Sequence, residues 1–262
     1  MKILVVNKMS ALEYYYKGDN KSKELKESMI EQNKNISRLK EILDKTDYEI
    51  ITRNSLPEKN LSDYDFVFSA GGDGTVIAVA AYNQDTPQLN LKTDERSKGA
   101  LCQQNLEESI LKTIKGDYKI SEWARQDILL NGKFIGRALN ETCIGEQLNF
   151  AKMAKYDIEV YQNSRLLINE HQENSGLIII TGTGSTGWPS AFSKYSKSSK
   201  IFKSYVIFPV KGHKSLRGDY FRIQYKGHEG KFAVDTVVYE LPRDSILEIK
   251  ISEKPLKVVI PN

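Results

Sequence analysis

The chain has 262 residues, of which 40% are hydrophobic and 27% are charged, and its formal net charge is +4. This length suffices for one large domain or two smaller ones, each with its own core. Basic residues alternate with acidic ones and no segment reaches transmembrane length, so we expect neither a nucleic-acid partner nor a membrane partner.

Only two cysteines occur, Cys102 and Cys143, and their spacing suits neither a disulfide scaffold nor a pair of metal ligands. The three histidines stand in unrelated contexts, without the spacing of a zinc motif. We therefore predict no metal site built from side chains and a reducing, cytoplasmic location. The opening residues form a strand-like run rather than the longer apolar core of a signal peptide, so we expect no targeting segment.

The first part of the chain alternates strand-like and helix-like segments. Short apolar runs predict strands, and apolar residues that recur every three or four positions predict helices. In chain order the predicted elements are a strand at 3–6, a helix at 25–43, strands at 48–52 and 65–70, a helix at 75–82, an extended segment at 86–92 and a helix at 106–114. This alternation is typical of an α/β domain with a mostly parallel sheet.

After residue 117 strand-like runs follow one another. They cover residues 127–130, 134–139, 156–161, 166–168, 177–181, 205–210, 220–225, 231–240, 246–251 and 257–260. The dipeptide Asn131-Gly132 is typical of a type I′ hairpin turn. We therefore predict an α/β domain over residues 1–117 and an antiparallel all-β domain over residues 118–262, whose last strands could return to the first domain.

The segment 66–75 is an apolar strand-like run that leads into three glycines around a single carboxylate, Asp73. Glycines let backbone N–H groups approach a polyphosphate closely. A carboxylate beside phosphates is repulsive unless it takes a proton from a hydroxyl or shares a metal ion with them. The alternative is a tight strand-to-helix turn in which Asp73 caps the helix that begins near Thr75.

A second glycine-rich segment, 181–188, formally matches the G-x-G-x-x-G pattern after a strand. A dinucleotide fold of the Rossmann type would need an acidic residue at the end of the next strand, and the run 205–209 has none. The segment remains a hydroxyl-rich loop suited to hydrogen-bonding a base or sugar, with Trp188 able to stack on a ring. The alternative is a solvent-facing turn.

The dipeptide Asn140-Glu141 follows the predicted strand 134–139. An amide and a carboxylate in this position can bind a ribose diol or a base edge, although a capping or turn role is the alternative. Other nucleotide and hydrolase signatures are absent, because the sequence contains neither a G-x-x-x-x-G-K-[ST] motif nor a G-x-S-x-G elbow.

Together the three motifs stand in the order found in the NAD kinase family, which the chain resembles over roughly residues 60–190. The matching stretches are GGDGT at 71–75, NE at 140–141 and TGTGSTGW at 181–188, the last replacing the commoner T-P-T-G-S-T-A-Y. The stretches 90–102, 138–145 and 175–177 are similar to the mitochondrial-type branch of that family.

The resemblance implies an NAD kinase-like fold and an ATP-dependent kinase, which phosphorylates the 2′-hydroxyl of the adenosine ribose of NAD to give NADP. Asp73 matches the acid that takes the proton from that hydroxyl. Gly71, Gly72, Gly74 and Thr75 match the loop that faces the triphosphate donor. ATP and Mg²⁺ are the implied cofactors, and NAD is the implied substrate.

The resemblance assigns the dinucleotide contacts to six further residues, namely Asn140, Glu141, Ser175, Thr186, Gly187 and Trp188. Ser175 stands where many family members have an aspartate. Asp235 lies near the family's Val-Asp-Gly turn, but Thr236 replaces the glycine, so we assign no contact to Asp235. A homodimer or homotetramer is also implied. The alternatives are a lipid or sphingoid-base kinase with the same GGDG loop, and a catalytically silent dinucleotide sensor.

Overall fold

The computed structural model describes residues 1–8, 23–146, 152–187 and 194–262. The chain forms two compact units. The first unit comprises Met1–Glu122 and Leu256–Asn262, and the second comprises Trp123–Pro255. Within the described ranges, no helix combines the length and the apolar character that crossing a membrane requires.

The first unit is an α/β structure around a six-stranded sheet. Its elements are β1 (Lys2–Asn7), α1 (Lys23–Leu43), β2 (Asp47–Thr52), β3 (Phe66–Gly71), α2 (Asp73–Tyr82), β4 (Gln88–Lys92), α3 (Leu106–Ile114), β5 (Tyr118–Trp123) and β17 (Leu256–Pro261). The strand order is β2-β1-β3-β4-β17-β5. The pairs β1–β2, β1–β3, β3–β4 and β4–β17 are parallel, which confirms the predicted mostly parallel sheet.

Apolar packing on both faces explains this sheet. Residues 3–6 of β1 are all fully buried, as expected of a parallel strand that helices cover on two sides. Helix α2 is apolar around most of its circumference, and its buried residues include Val76 and Val79. Helix α3 begins at a side-chain cap, because Asn105 accepts a hydrogen bond from the N–H of Glu108 at 3.2 Å.

The second unit is built on an 11-stranded sheet within the described residues. Its strands are β6 (Gln126–Leu130), β7 (Lys133–Ala138), β8 (Glu141–Glu146), β9 (Ala154–Gln162), β10 (Arg165–Ile180), β11 (Phe202–Lys211), β12 (Ser215–Gly218), β13 (Tyr220–Tyr225), β14 (Glu229–Val234), β15 (Val237–Pro242) and β16 (Ile246–Ile251). The main path is β15-β14-β8-β10-β9-β13-β16-β6-β7, with β11 beside β10 and β12 beside β11. The pairing is antiparallel, as predicted.

The hairpin between β6 and β7 confirms the turn predicted from Asn131-Gly132. Leu130 pairs with Lys133 across a two-residue loop. Asn131 has a φ of 50° and Gly132 a φ of 76°, which is the left-handed pair that a type I′ turn requires. This turn was predictable because its geometry depends on the two residues themselves.

Two predicted strand boundaries in the second unit are wrong. The run 231–240 forms two strands, β14 and β15, which are joined by a turn at Asp235 with a φ of 51°. The runs 166–168 and 177–181 belong to one strand of 16 residues, β10. The polar residues between the two runs interrupt the apolar pattern. Strand β9 pairs with residues 165–174 and β11 with residues 173–180, so β10 continues through them.

Strands β5, β8 and β12 have no counterpart in the sequence prediction. Strand β8 is the most important of them, because it pairs with β10 on one side and β14 on the other. Its central position is a property of long-range pairing, which a local pattern of six residues does not reveal.

Candidate functional site

The GGDG turn links buried strand β3 to helix α2. A methyl group built on Gly71 would collide with the side chain of Thr75 and would lie 3.0 Å from Cβ of Lys8. Only glycine therefore fits at position 71. Thr75 is 2% exposed, so its side chain supports the turn from within the unit.

Asp73 is the first residue of α2, and its carboxylate is held by a different segment of the first unit. Oδ2 accepts a hydrogen bond from the N–H of Ala100 at 3.1 Å, and Oδ1 accepts one from the N–H of Leu101 at 2.8 Å. Each oxygen of a carboxylate can accept more than one hydrogen bond, so Asp73 keeps capacity for a substrate hydroxyl. The capping alternative is not what the structure shows, because Gly72 is the N-cap and no side chain caps the helix.

The segment that holds Asp73 is itself anchored by a buried acid, Asp94. Its carboxylate accepts hydrogen bonds from the hydroxyl of Ser28 and from the backbone N–H and Nε of Arg96, the latter two at 3.0 Å. Burial raises the pKa of Asp94, but the hydrogen bonds from Ser28 and Arg96 outweigh that effect and leave the pKa below its ordinary value. Gly99, with a φ of 58°, then turns the chain toward the donors.

In the second unit, the Asn140-Glu141 turn is fixed by a carboxylate to which the sequence analysis assigned no contact. Asp235 accepts hydrogen bonds from the N–H groups of Leu139 and Asn140, each at 2.8 Å, and of Glu141 at 3.1 Å. Its own N–H donates to the carbonyl of Glu141 at 3.0 Å. Only the pairing of β14 with β8 brings Asp235 to this turn, so no local signal could have predicted it.

The glycine-rich loop 181–187 packs directly on the Asn140-Glu141 turn. The N–H of Thr181 donates to the carbonyl of Asn140 at 2.8 Å, and its hydroxyl donates to the carbonyl of Leu139 at 2.5 Å. A methyl group on Gly184 would collide with the carbonyl oxygen of Asn140. The structure therefore brings together two motifs that are about 40 residues apart in the sequence.

Three buried polar atoms at this junction have no hydrogen-bond partner among the described residues. They are Oδ1 of Asn140, Oε2 of Glu141 and Oγ1 of Thr183. Buried polar atoms in folded proteins are nearly always hydrogen-bonded, so three such atoms on two adjoining segments point to a ligand that supplies the missing partners. We refer to Asn140, Glu141 and Thr183 as the polar cluster.

Glu141, a member of the polar cluster, and Asp235 have carboxyl groups with raised pKa values. Burial, followed by the charge of Asp235, raises the pKa of Glu141 from 4.5 to about 7. Burial raises the pKa of Asp235 from 3.8 to about 6, although three backbone N–H groups oppose the shift. Those three donors favour the ionised form of Asp235, whereas burial favours the neutral form of Glu141.

The remaining predicted contacts have different positions. Thr186 is half-buried and donates through its hydroxyl to the carbonyl of Thr183 at 2.9 Å, next to the polar cluster. A methyl group on Gly187 would lie 3.8 Å from Nδ2 of Asn140. Trp188 lies outside the described residues.

Ser175 lies apart from the polar cluster. It lines a mostly apolar pocket of about 220 Å³ with Cys143, Ile207 and Val238. Strand β10 carries Ser175 five residues before Ile180, the residue that pairs with Glu141. That spacing corresponds to about 17 Å along the strand. The structure therefore does not bring Ser175 to the other predicted contacts.

Within the described ranges, no group of three or more His, Cys, Asp or Glu side chains is arranged to hold a metal ion. Mg²⁺ in phosphoryl-transfer enzymes is usually bound by one or two carboxylates together with the substrate phosphates. Asp73, with its free acceptor capacity beside the glycine turn, fits that mode of binding.

Comparison with known proteins identifies similar sequences. No protein-family model matches the chain. The chain is 27% identical to the mitochondrial NAD kinase 2 of Xenopus tropicalis, covering 65% of this chain and 53% of the relative. It is 29% identical to the NAD kinase of Picrophilus torridus, covering 55% of this chain and 54% of the relative. The chain thus spans about half the length of these relatives. It is 25% identical to the NAD kinase of Flavobacterium johnsoniae, and this match covers 89% of this chain and 82% of the relative.

Two solved structures of NAD or NADH kinases share this architecture. An NAD kinase from Archaeoglobus fulgidus in complex with ATP superposes with a TM-score of 0.70 at 19% identity, covering all of this chain and 94% of the other. Yeast NADH kinase complexed with NADH superposes with a TM-score of 0.75 at 15% identity, covering all of this chain and 84% of the other. The fold is that of the NAD kinases. The predicted fold class and the predicted resemblance are confirmed.

Proposed function

We propose that this protein is an ATP-dependent NAD kinase, which phosphorylates the 2′-hydroxyl of the adenosine ribose of NAD and releases NADP. The observation that carries the proposal is the polar cluster, where a buried amide oxygen, a carboxyl oxygen and a hydroxyl lack partners. Amide and carboxyl groups of this kind accept hydrogen bonds from sugar hydroxyls. The relatives named NAD kinase give the same indication.

Asp73 is the proposed base of the reaction. The 2′-hydroxyl gives its proton to the Asp73 carboxylate, its oxygen forms a bond to the γ-phosphorus of ATP, and the bond from that phosphorus to the bridging oxygen breaks to release ADP. A ribose hydroxyl is a weak acid, so Asp73 contributes chiefly by aligning the nucleophile. The N–H groups of Ala100 and Leu101 fix the orientation of the carboxylate.

Gly71, Gly72 and Gly74 are proposed to bring backbone N–H groups close to the donor triphosphate. Mg²⁺, when bound with ATP, would neutralise charge on the phosphate oxygens. Asn140, Glu141, Thr186, Gly187 and Trp188 are proposed to bind the dinucleotide. A dinucleotide contact of Ser175 is supported only by the resemblance, because Ser175 lies apart from the polar cluster.

The test is a product assay on the purified protein with NAD, ATP and Mg²⁺. We expect NADP, detected by an enzymatic cycling assay that responds to NADP and not to NAD. Parallel reactions replace NAD with NADH or with a long-chain diacylglycerol or sphingoid base. Phosphorylation of the lipid alone would support the lipid kinase alternative. NAD binding without turnover would support the silent sensor, and either result would overturn the proposal.

We also propose a cytoplasmic location and a homodimeric or homotetrameric assembly. The resemblance to NAD kinases supports the assembly, and the low cysteine content of two residues supports a reducing compartment. Light scattering on the purified chain tests the assembly, and a mass of one chain would contradict it.

A further inference from the structure

Three neighbouring parallel strands, β1, β3 and β4, end at the GGDG turn. The strand register pairs Asn7 with Ala70 and Gly71 with Lys92. The N–H of Lys8 donates to the carbonyl of Ala70 at 3.0 Å, so the pairing continues one residue beyond β1. Lys8 and Lys92 therefore flank Gly71 on its two sides, at the carboxyl edge of the sheet.

The stem of Lys8 lies against the GGDG turn, and the stem of Lys92 lies against the segment that holds Asp73. A methyl group built on Gly71 would lie 3.0 Å from Cβ of Lys8, and on the same side it meets Thr75 in the first turn of α2. A methyl group built on Gly99 would lie 3.0 Å from Cδ of Lys92. Because residues in one row of a sheet project to the same face, both lysines share the face on which α2 begins.

The start of α2 offers hydrogen-bond donors and open space. The first N–H groups of a helix have no acceptor within the helix and carry partial positive charge. No side chain caps this ten-residue helix, because its N-cap is Gly72. A side chain on Gly74 would meet no atom within 4 Å. The glycine at position 74 is thus not required by packing, and the space beside it is available to a ligand.

The two lysines have few charged partners among the described residues. Lys8 is half-buried and makes no ion pair with any residue in the part of the chain that the structure describes. Lys92 pairs at 3.1 Å with Glu95, whose side chain is 76% exposed. The Lys92 side chain itself is only 9% exposed. The single carboxylate of Glu95 is screened by solvent, so a multiply charged phosphate can replace it as the partner of Lys92.

A buried amide on the same face also lacks a partner. Asn90 lies two residues before Lys92 on β4 and is fully buried. Its Oδ1 accepts hydrogen bonds from Ser69 at 2.9 Å and from Gln88 at 2.8 Å, whereas its Nδ2 has no partner among the described residues. This unused donor is independent of the helix terminus and lies on the face of the sheet that carries the two lysines.

We propose that Lys8 and Lys92 form a phosphate clamp for the phosphoryl donor, with one lysine on each side of Gly71. The ligand chemistry is a linear chain of phosphates, as in a nucleoside triphosphate or an inorganic polyphosphate. Identifying this ligand as the donor rests on the proposed function. A P-loop protein places its lysine within the glycine loop itself, whereas here the two adjacent strands would supply the cations.

The first test measures steady-state kinetics of Lys8→Gln, which removes the charge but keeps a polar side chain of similar reach. We expect the KM for ATP to rise at least about tenfold, as for loss of a charge-assisted hydrogen bond, and the KM for NAD to change less than about twofold. Lys8→Arg retains the charge and should recover part of the loss. Lys40→Gln makes the same charge change on the exposed end of α1 and should leave both KM values unaltered.

The second test separates the clamp from the proposed function. Calorimetry without NAD measures binding of MgATP and of inorganic tripolyphosphate to the wild type, Lys8→Gln and Lys92→Gln. Because Lys92 is largely buried, the folding of Lys92→Gln is checked by thermal unfolding. If Lys92→Gln is unfolded, the result for Lys8→Gln decides the outcome. We expect both variants that fold to bind both ligands more weakly than the wild type.

The outcomes are distinguishable. If the wild type forms no NADP but binds tripolyphosphate, and Lys8→Gln loses that binding, the proposed function fails and the clamp stands. If the wild type forms NADP and Lys8→Gln retains its KM for ATP and its tripolyphosphate affinity, the clamp is overturned. A variant that binds ATP more weakly but tripolyphosphate equally well also overturns it, because the phosphates are the part that the two ligands share.

Discussion

The two acidic turns of this protein place their carboxylates in different surroundings. Asp73, in the first unit, is half-buried, and both its oxygens accept backbone hydrogen bonds. Glu141, in the second unit, has a buried oxygen without a partner and lies beside the carboxylate of Asp235. An oriented carboxylate that retains acceptor capacity suits proton abstraction, whereas a buried carboxyl group of raised pKa suits hydrogen bonding to a neutral sugar.

The glycines of the two turns differ in the same way. Gly71 and Gly184 are required by the protein, because a methyl group at either position would collide with neighbouring atoms. Gly74 has no such neighbour. The comparison separates glycines that allow the chain to fold from one that leaves room for a ligand. The following four predictions test these contrasts, from the largest expected effect to the smallest.

Asp73→Asn should lower kcat by a factor of about 10² to 10⁴, because the amide cannot accept the proton of the hydroxyl. NAD binding, measured by calorimetry, should persist, since the proposed dinucleotide contacts lie elsewhere in the chain. Asp44→Asn makes the same change at an exposed position after α1 and should retain activity. Near-normal turnover of Asp73→Asn would show that this carboxylate is not the base.

Asp235→Ala should lower the free energy of unfolding by about 3 kcal/mol, because three backbone N–H groups lose their acceptor in a buried turn. The KM for NAD should rise with it, since Asn140 and Glu141 lose their fixed orientation. Urea unfolding measures the first effect and steady-state kinetics the second.

The matched control is Asp244→Ala. Asp244 also has a left-handed backbone, with a φ of 63°, but its side chain is 64% exposed. The backbone cost of replacing aspartate with alanine is therefore shared by the two variants. If they were equally destabilised, the three hydrogen bonds of Asp235 would have no energetic importance.

Gly184→Ala should destabilise the protein by about 1–3 kcal/mol, because the added methyl group displaces the carbonyl of Asn140. Gly74→Ala should leave stability unchanged or raise it by up to about 1 kcal/mol, since alanine is the better helix former. Its effect should appear as a raised KM for ATP. Thermal unfolding and ATP kinetics on both variants test the distinction, which an equal loss of stability in the two would refute.

Glu141→Gln should make stability less dependent on pH. Because the folded pKa of Glu141 is about 7 and its ordinary value is 4.5, the folded state binds more protons than the unfolded state between these values. The free energy of unfolding of the wild type therefore falls as the pH rises through this window. Unfolding curves at several pH values should show a shallower fall for Glu141→Gln, with Asp235 retaining its own contribution. An unchanged slope would contradict the raised pKa of Glu141.

Local chemistry explains which parts of the fold were predictable. The alternation of apolar runs with helical periodicity predicted the parallel sheet of the first unit. Asn131-Gly132 predicted the hairpin between β6 and β7 in the second unit. Each signal acts over a few neighbouring residues. Strand β8 was missed because its partner β14 is about 90 residues away. Strand β10 was divided because polar residues interrupt its apolar pattern, although β9 pairs with them. Propensity is a weak guide where pairing and burial decide the conformation.

The same division holds for the candidate site. The sequence by itself determined the three motifs, the lone acid among glycines and the glycine positions at which the backbone must turn. Only the tertiary structure decided that Asp235 holds the Asn140-Glu141 turn and that Lys8 and Lys92 flank Gly71. Strand register creates both arrangements, and register depends on packing between distant segments, so no local stretch of sequence encodes it.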